Sequence, residues 1–488
     1  MGEQGRMVPA AGIVAPIDDV AARDPDRVAV IDHGRRITYR TLTQASRRAA
    51  AWLLRTGIAP GDGVGLTLRQ EYPHLVMCLA LLRLGCVQVS LASHEPMAMR
   101  ATVAARLGLA VMLGDEAADA LPGVALLRPD SAAIIAEGGL DAVRLPAPAP
   151  ARAGFVFQSS GTTGRPKLVL MTEAVLAAQA AVTAGYGAVR HRLVTNEFSN
   201  GKRLQLQTLA LGGTEILVNA GAGRSLAETC ATHGVERLNL APQRAARLAE
   251  ELARPGAPPW PAMTEIMVSG GPVPADVRAA LMARATPRLW VTLGCTEAGG
   301  IAIAGPRDHA LHPDTVGFPF PEVAVEVVDE DGRALPRGAV GALRLRSPAC
   351  VPGYLDDAEA TARAFRDGWF LPGDAGWITP EGALVLAGRT DDMMNLGTIK
   401  IFPAEIEAAA AGFAGLVECA AFALRSPMGD IPMLAVVAGE GFDGAALLAA
   451  CRARLGLRAP RKVVVLDALP RNAQGKVLRR ELAARAAP

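Results

Sequence analysis

The sequence predicts an α/β fold: a large N-terminal domain of layered α/β subdomains with a β-rich subdomain, then a small α+β C-terminal domain. Three observations carry this expectation. Short apolar runs alternate with helical periods early in the chain, the pattern of helices layered on a mainly parallel sheet. Between residues 323 and 346 the pattern changes to strand pairs around a turn. A charged turn, Gly388-Arg389-Thr390-Asp391-Asp392, then separates the bulk from a tail of roughly 100 residues, enough for a domain of its own.

Taken in order, residues 38–56 have helical periodicity, with Thr41 as the expected cap. Gly57 to Gly61 form a turn, and Val64 to Leu68 read as a buried strand. Residues 75–84 (LVMCLALLRL) read as a buried helix stopped by Gly85, before a short strand from Cys86 to Leu91. The Pro/Ala-rich stretch 144–153 lacks either period and reads as an extended lead-in. A strand at Phe155–Gln158, a Gly-rich loop, a strand at Lys167–Met171 and a helix from Thr172 follow. Val323–Val328 and Ala342–Leu345 flank the turn Asp331-Gly332 as antiparallel strands. In the tail, helices are expected at 404–411 and 444–455, with strands near 416–423 and 433–438. The chain has no internal repeat.

Composition narrows the function classes. Half of the 488 residues are hydrophobic but only 4% are aromatic, so a large core must be built from Ala, Leu and Val. Lys and Arg number 50 against 48 Asp and Glu, which gives no electrostatic reason to expect a nucleic-acid or membrane partner. Seven dispersed cysteines, of which only Cys78 and Cys86 are close, fit buried thiols in a reducing compartment better than a disulfide framework. The N-terminus lacks the apolar stretch of a signal peptide, and no apolar run reaches the ~18 residues of a membrane span. A soluble cytoplasmic protein is expected.

The chemistry begins at Ser159-Ser160-Gly161-Thr162-Thr163-Gly164-Arg165-Pro166-Lys167. Glycines let a backbone approach phosphate closely, hydroxyls add donors, and the closing lysine adds charge. Arg165 and Pro166 separate Gly164 from Lys167, and no Ser or Thr follows the lysine, so this is not a Walker loop. Together with Phe157-Gln158, the segment closely resembles the phosphate-loop signature of the adenylate-forming superfamily. That superfamily includes acyl- and aryl-CoA synthetases, peptide-synthetase adenylation domains and firefly luciferase. Further motifs in the family's order extend the resemblance along nearly the whole chain.

The resemblance implies roles residue by residue. Leu293-Gly294-Cys295-Thr296-Glu297 is similar to a Tyr-Gly-x-Thr-Glu element, with Leu293 in place of the aromatic. It implies Gly294 and Thr296 at the nucleotide, Thr296 on the α-phosphate and Glu297 on magnesium, a cation that takes one or two carboxylates beside phosphate. Trp369-Phe370-Leu371-Pro372-Gly373-Asp374 resembles a Trp-x-x-Thr-Gly-Asp element with Pro372 replacing Thr; Asp374 would accept from the ribose hydroxyls. Arg389 would bind ribose or phosphate, and Asp391 would be the hinge between an AMP-binding domain, 1–389, and a mobile C-terminal domain, 390–488. The stretch from Asn395 to Glu407 resembles the family's Gly-Gly-x-Lys element except that Thr398 stands for the second glycine. Gly397, Thr398 and Lys400 would border the tunnel for the acceptor thiol. Leu469-Pro470-Arg471-Asn472-Ala473-Gln474-Gly475-Lys476 resembles the C-terminal element whose lysine serves adenylation, which implies Lys476 as the catalytic cation.

For the acid, Phe198, Asn200, Gly270 and Leu293 are the pocket candidates. Lys202 and Arg203 lie where the family often carries a gating His/aromatic segment; they would meet either a substrate carboxylate or water. His309 and His312 have no third ligand near in sequence, so no metal role is expected.

The implied reaction is ATP-dependent activation of a carboxylic acid to an acyl-adenylate with Mg2+, then transfer to a thiol, most naturally that of CoA. A stand-alone adenylation enzyme loading a separate phosphopantetheinyl carrier protein is a second reading. A non-catalytic nucleotide-binding protein is a third, opposed by the intact Thr296, Glu297, Asp374, Arg389 and Lys476. The sequence does not choose the acid.

Overall fold

The computed structural model describes residues 12–93, 95–136, 143–147, 149, 151–159, 167–186, 190–194, 201–217, 225–261, 264–271, 273–396, 400–425, 430–471 and 477–486. The chain forms two compact units: Met1–Ala324 with Arg346–Phe370, and Val325–Leu345 with Leu371–Pro488.

The first unit opens with α1 (Val14–Arg23) and the hairpin β1 (Val28–Asp32) and β2 (Arg35–Thr38). That hairpin turns at His33 and Gly34, both with positive φ, the geometry that matches strand twist. Helix α2 (Tyr39–Arg55) is capped by Thr38, whose hydroxyl accepts the Thr41 N–H, so the expected cap at Thr41 is corrected by three residues. Thr38 is extended and lies just outside the helix, whereas Thr41 is already inside its first turn.

Strands β3 (Gly63–Thr67), β4 (Val87–Ser90), β5 (Val111–Gly114), β6 (Ala125–Leu127), β7 (Gly154–Ser159) and β8 (Lys167–Thr172) form one sheet in the order β6-β5-β3-β4-β7-β8. All neighbours are parallel except the β7–β8 hairpin. Helix α3 (Glu71–Arg83) between β3 and β4 is buried from Leu75 to Arg83, apolar up to Leu82 and closed by Arg83, which is ion-paired with Asp18. The small residues Ala45, Ala49, Ala50 and Ala51 of α2 share its core, and they supply the close packing that scarce aromatics cannot.

The second sheet of this unit follows. Helix α4 (Met97–Arg106) and α5 (Ser131–Ala136) belong to the preceding sheet's crossovers; α6 (Glu173–Thr183), capped by Thr172, leads on to β9 (His191–Val194). Then come α7 (Gly201–Ala210), β10 (Thr214–Leu217), α8 (Leu226–His233), β11 (Arg237–Leu240), α9 (Pro242–Ala253), β12 (Glu265–Ser269), α10 (Ala275–Arg284), β13 (Leu289–Cys295), β14 (Gly299–Ala304) and β15 (Thr315–Pro319). The order β13-β12-β11-β9-β10-β1 is parallel throughout, and β13–β14–β15 are antiparallel. After β9 the chain steps outward to β10, then returns to pair β11 on the other side of β9. In open α/β sheets, such a reversal of strand order, here at the carboxyl ends of β9 and β11, is where ligands bind.

A charged row crosses this sheet. Glu215 faces Arg192, Arg192 faces Arg237, and Arg237 faces Glu265. Glu215, Arg192 and Arg237 are buried, and Arg237 is ion-paired with Glu265.

In the second unit, the strands Ala324–Val328 and Gly341–Arg346 are paired, with the expected turn closed by Gly332 N–H donating to Asp329 O. Strands Asp374–Ile378 and Leu384–Arg389 are antiparallel. Beyond residue 390, helices Pro403–Ala410, Gly444–Leu455 and Arg479–Ala486 accompany a sheet of Leu416–Leu424, Ile431–Ala438 and Lys462–Val465. Among the described residues, no helix is long and apolar enough to cross a membrane, and all seven cysteines are free.

Candidate active site

The β7–β8 hairpin ends in the opposed pair Ser159 and Lys167, so the polar loop is held between two adjacent strand ends. Residues 160–166, including Ser160, Gly161, Thr162, Thr163 and Gly164, lie outside the described residues. A bridge between Leu168 and Leu355, with Leu355 N–H donating to Leu168 O at 2.8 Å, brings Tyr354 alongside Lys167. The Lys167 ammonium lies 4.5 Å from the centroid of the Tyr354 ring, a cation–π contact. The Tyr354 hydroxyl donates to Glu297 Oε1 at 3.1 Å. Lys167, Tyr354 and Glu297 therefore form a continuous chain of contacts, although their sequence positions are far apart.

Glu297 sits at the turn between β13 and β14, and its side chain is buried. Val351 N–H donates to its backbone carbonyl at 2.8 Å. Two glycines make the turn possible. A Cβ on Gly294 would come within 2.6 Å of Gly299 O, and one on Gly299, at φ +72°, would strike the Gln179 side chain at 2.8 Å. Gln179 of α6 fills that space and donates through Nε2 to Thr296 O and Ala349 O, at 3.5 and 3.4 Å. Its Oε1 accepts from Arg203 Nη1 at 3.3 Å. Leu293 lies near the carboxyl end of β13, and Gly270 immediately follows the neighbouring strand β12 with φ +99° and an open, exposed position. Of the basic pair, Lys202 is ion-paired with Glu71 at 2.5 Å. Phe198 and Asn200 lie outside the described residues.

In the second unit, Asp374 and Arg389 face each other across two strands and are ion-paired at 2.9 Å. Arg389 Nη1 also donates to Pro372 O at 2.6 Å. Gly373, at φ +78°, leaves room for the guanidinium, since a Cβ there would lie 2.5 Å from Nη2. Thr390 N–H donates to Gly373 O at 2.9 Å, so the two motifs are joined by backbone as well as by charge. Asp391 is exposed in the short turn Thr390–Asp392, and its carbonyl accepts from Arg425 Nη2 at 3.1 Å. Lys400 is on the strand Lys400–Ile401; Gly397, Thr398 and Lys476 lie outside the described residues.

Magnesium fits the donor set at Glu297. A single buried carboxylate suits an ion that uses one or two protein carboxylates and keeps phosphate and water ligands. Burial holds His309 down to about 4, and neither of its ring nitrogens has a hydrogen-bond partner among the described residues. Sequence reasoning missed Tyr354 and Gln179. Tyr354 follows a glycine in an unremarkable turn, and Gln179 is one polar residue on an apolar helix; only tertiary contacts bring them to Glu297.

The fold is that of a group of solved nucleotide-dependent enzymes. ATP-bound MatB of Rhodopseudomonas palustris superposes with a TM-score of 0.85 at 25% identity, covering 97% of this chain and 98% of that one. The "AMP-binding enzyme" family model matches residues 17–355, and the "AMP-binding enzyme C-terminal domain" model matches 405–476. A salicylyl-CoA synthase / salicylate adenylyltransferase of a Streptomyces species is 31% identical over 94% of this chain and 90% of its own length. The 3-[(3aS,4S,7aS)-7a-methyl-1,5-dioxo-octahydro-1H-inden-4-yl]propanoyl:CoA ligase of Mycobacterium tuberculosis is 29% identical over 98% of both chains. The chain belongs to the AMP-binding enzyme family, the adenylate-forming, AMP-releasing acid ligases.

Proposed function

We propose that the protein activates a carboxylic acid with ATP and Mg2+ to an acyl-adenylate, releasing pyrophosphate, and then transfers the acyl group to the thiol of CoA. The observation that carries this reading is the Lys167–Tyr354–Glu297 chain, which puts a phosphate-seeking cation and a metal-seeking carboxylate on one tyrosine. Relatives named as CoA ligases support the choice of acceptor.

In this reading the acid is already ionised at neutral pH and needs no general base. The obstacle is repulsion between a carboxylate and the α-phosphate. Lys476 supplies the charge between them, and Thr296 holds the α-phosphate. Ser159 to Lys167 grips the departing pyrophosphate. Magnesium, held by Glu297, supplies charge neutralisation at the phosphates. Asp374 and Arg389 hold the ribose. Residues 1–389 act as the AMP-binding domain, and 390–488 swing about Asp391 to exchange Lys476 for the Gly397, Thr398 and Lys400 tunnel. Phe198, Asn200, Gly270 and Leu293 line the acid pocket. The free cysteines support a reducing, cytoplasmic setting.

Acid-dependent ATP–pyrophosphate exchange, followed by CoA-dependent AMP release, tests the two halves in turn. Exchange that is indifferent to CoA but loads a carrier protein would move the acceptor to phosphopantetheine. Absence of exchange over a broad acid panel, with ATP still bound, would reject the enzymatic reading.

A further inference from the structure

Among the described residues, Arg203 is a cation without a counter-ion. It lies in the first turn of α7, which follows β9, the strand at which the order reverses. Its hydrogen bond is to the neutral amide of Gln179, and no carboxylate pairs with it among the described residues. Its Nε is sequestered with no partner, while the residue as a whole keeps some exposure. The adjacent Lys202 is neutralised by Glu71, so the two basic residues have different fates. The Cys295 thiol, directly before Thr296, is near enough to act on Arg203 electrostatically, and burial holds the guanidinium down to about 10, still charged at neutral pH.

A sequestered charge without a counter-ion is costly. Gln179 fixes its direction: one end of the amide holds Arg203, and the other holds the backbone of Thr296 beside Glu297. Arg203 is thus one side chain away from the residues assigned to adenylation, and it follows the strand at which the sheet order reverses.

Resting on the adenylation reading, we propose that Arg203 recognises a second anionic group on the acid, so that the preferred substrate is a dianion with one carboxylate activated and another anionic oxygen held by the guanidinium. The reacting carboxylate already has Lys476 as its cation in that reading, which leaves Arg203 for the distal group. A planar fork of donors matches a carboxylate in two-point contact.

The test compares matched acids, benzoate against isophthalate and butanoate against glutarate, in pyrophosphate exchange with wild type, Arg203→Met and Arg203→Lys. Calorimetric binding of the same acids and melting temperatures are measured alongside. The proposal expects wild type to favour the diacid of a pair on the order of 10- to 100-fold in kcat/KM, the range of a charged hydrogen-bonded contact. It expects Arg203→Met to bring that ratio near one, Arg203→Lys to restore part of it, and the diacid's binding preference to follow the same order. It also expects Arg203→Met to melt no lower than wild type, because a structural arginine would lower the melting temperature on removal. A wild type that favours the monoacids, or a ratio unchanged in Arg203→Met, overturns it. Exchange silent with every acid rejects adenylation instead, and the calorimetric ratio then decides Arg203 by itself.

Discussion

The Tyr354 hydroxyl donates to Glu297 Oε1 at 3.1 Å while the same ring carries the Lys167 ammonium at 4.5 Å. One side chain therefore orients a carboxylate through its edge and a cation through its face. The two contacts can be removed separately. Tyr354→Phe keeps the ring and loses the donor, so it should raise the magnesium concentration needed for half-maximal exchange and lower kcat/KM for ATP roughly 10-fold, within the range for a hydrogen bond to a charged group. Tyr354→Leu loses both contacts and should be worse than Tyr354→Phe at saturating magnesium. Equal kinetics for the two variants would mean that the ring contact with Lys167 has no part in ATP use.

Gly299 makes a second prediction. Alanine there meets Gln179 at 2.8 Å and must also adopt φ +72°. Gly299→Ala should destabilise the protein by about 1–3 kcal/mol, read by denaturant unfolding. It should also lower adenylation, because Gln179 holds Thr296 O and Arg203. Gly294→Ala, aimed at the backbone of Gly299 itself, should act in the same direction.

Asp374 and Arg389 are expected to act as a unit. Asp374→Asn removes the charge that holds Nη1 and should raise KM for ATP more than it lowers kcat. Gly373→Ala leaves both charges but places a methyl 2.5 Å from Nη2. A similar rise in KM for Gly373→Ala would identify guanidinium placement, rather than charge alone, as the requirement. A wild-type KM in Gly373→Ala would refute it.

Stability should carry a pH signature from Glu215. Burial pushes its carboxyl up to about 7, against the favourable field of Arg192. The unfolded chain releases this proton near the ordinary carboxylate value, the folded chain only near neutrality, so the folded state binds the extra proton between them. Stability from this group is therefore present at low pH and is lost as pH rises through that window. Glu215→Gln stays neutral and should gain melting temperature relative to wild type between about pH 5 and about pH 8. A difference that is constant over that range would show that Glu215 does not titrate there.

The motifs that point to a site are legible because each is carried by neighbouring residues. Ser159 to Lys167 reads as a phosphate loop from glycines and hydroxyls alone, and the hairpin pairing of Ser159 with Lys167 agrees with the two strand-like flanks. The start of a helix at Thr172, the helix at Gly444–Leu455 and the turn at Asp331-Gly332 are equally local. What could not be read depends on distance. Tyr354 reaches Lys167 only through the Leu168–Leu355 bridge. Arg192 meets Glu215 only after two strands register. Lys202 and Arg203 look alike in sequence, and only Glu71 on a remote helix distinguishes them. Even the local choice between Thr38 and Thr41 turned on which residue was extended, a matter of backbone angle rather than residue type.

Around the turn at Asp391, Ala375 and Ala387 on one side and Phe402 on the other form a small buried cluster, flanked by Trp377 and Met393. Gly388, lacking a side chain, lets the Phe402 ring approach to 3.3 Å from where its Cβ would stand. If residues beyond 390 swing during turnover, this cluster is the latch that each cycle must open and close. Exposing one phenylalanine costs about 1.5–3 kcal/mol, a gate worth roughly one to two powers of ten in population. The Phe402 latch would then bias which arrangement the enzyme rests in between its two half-reactions.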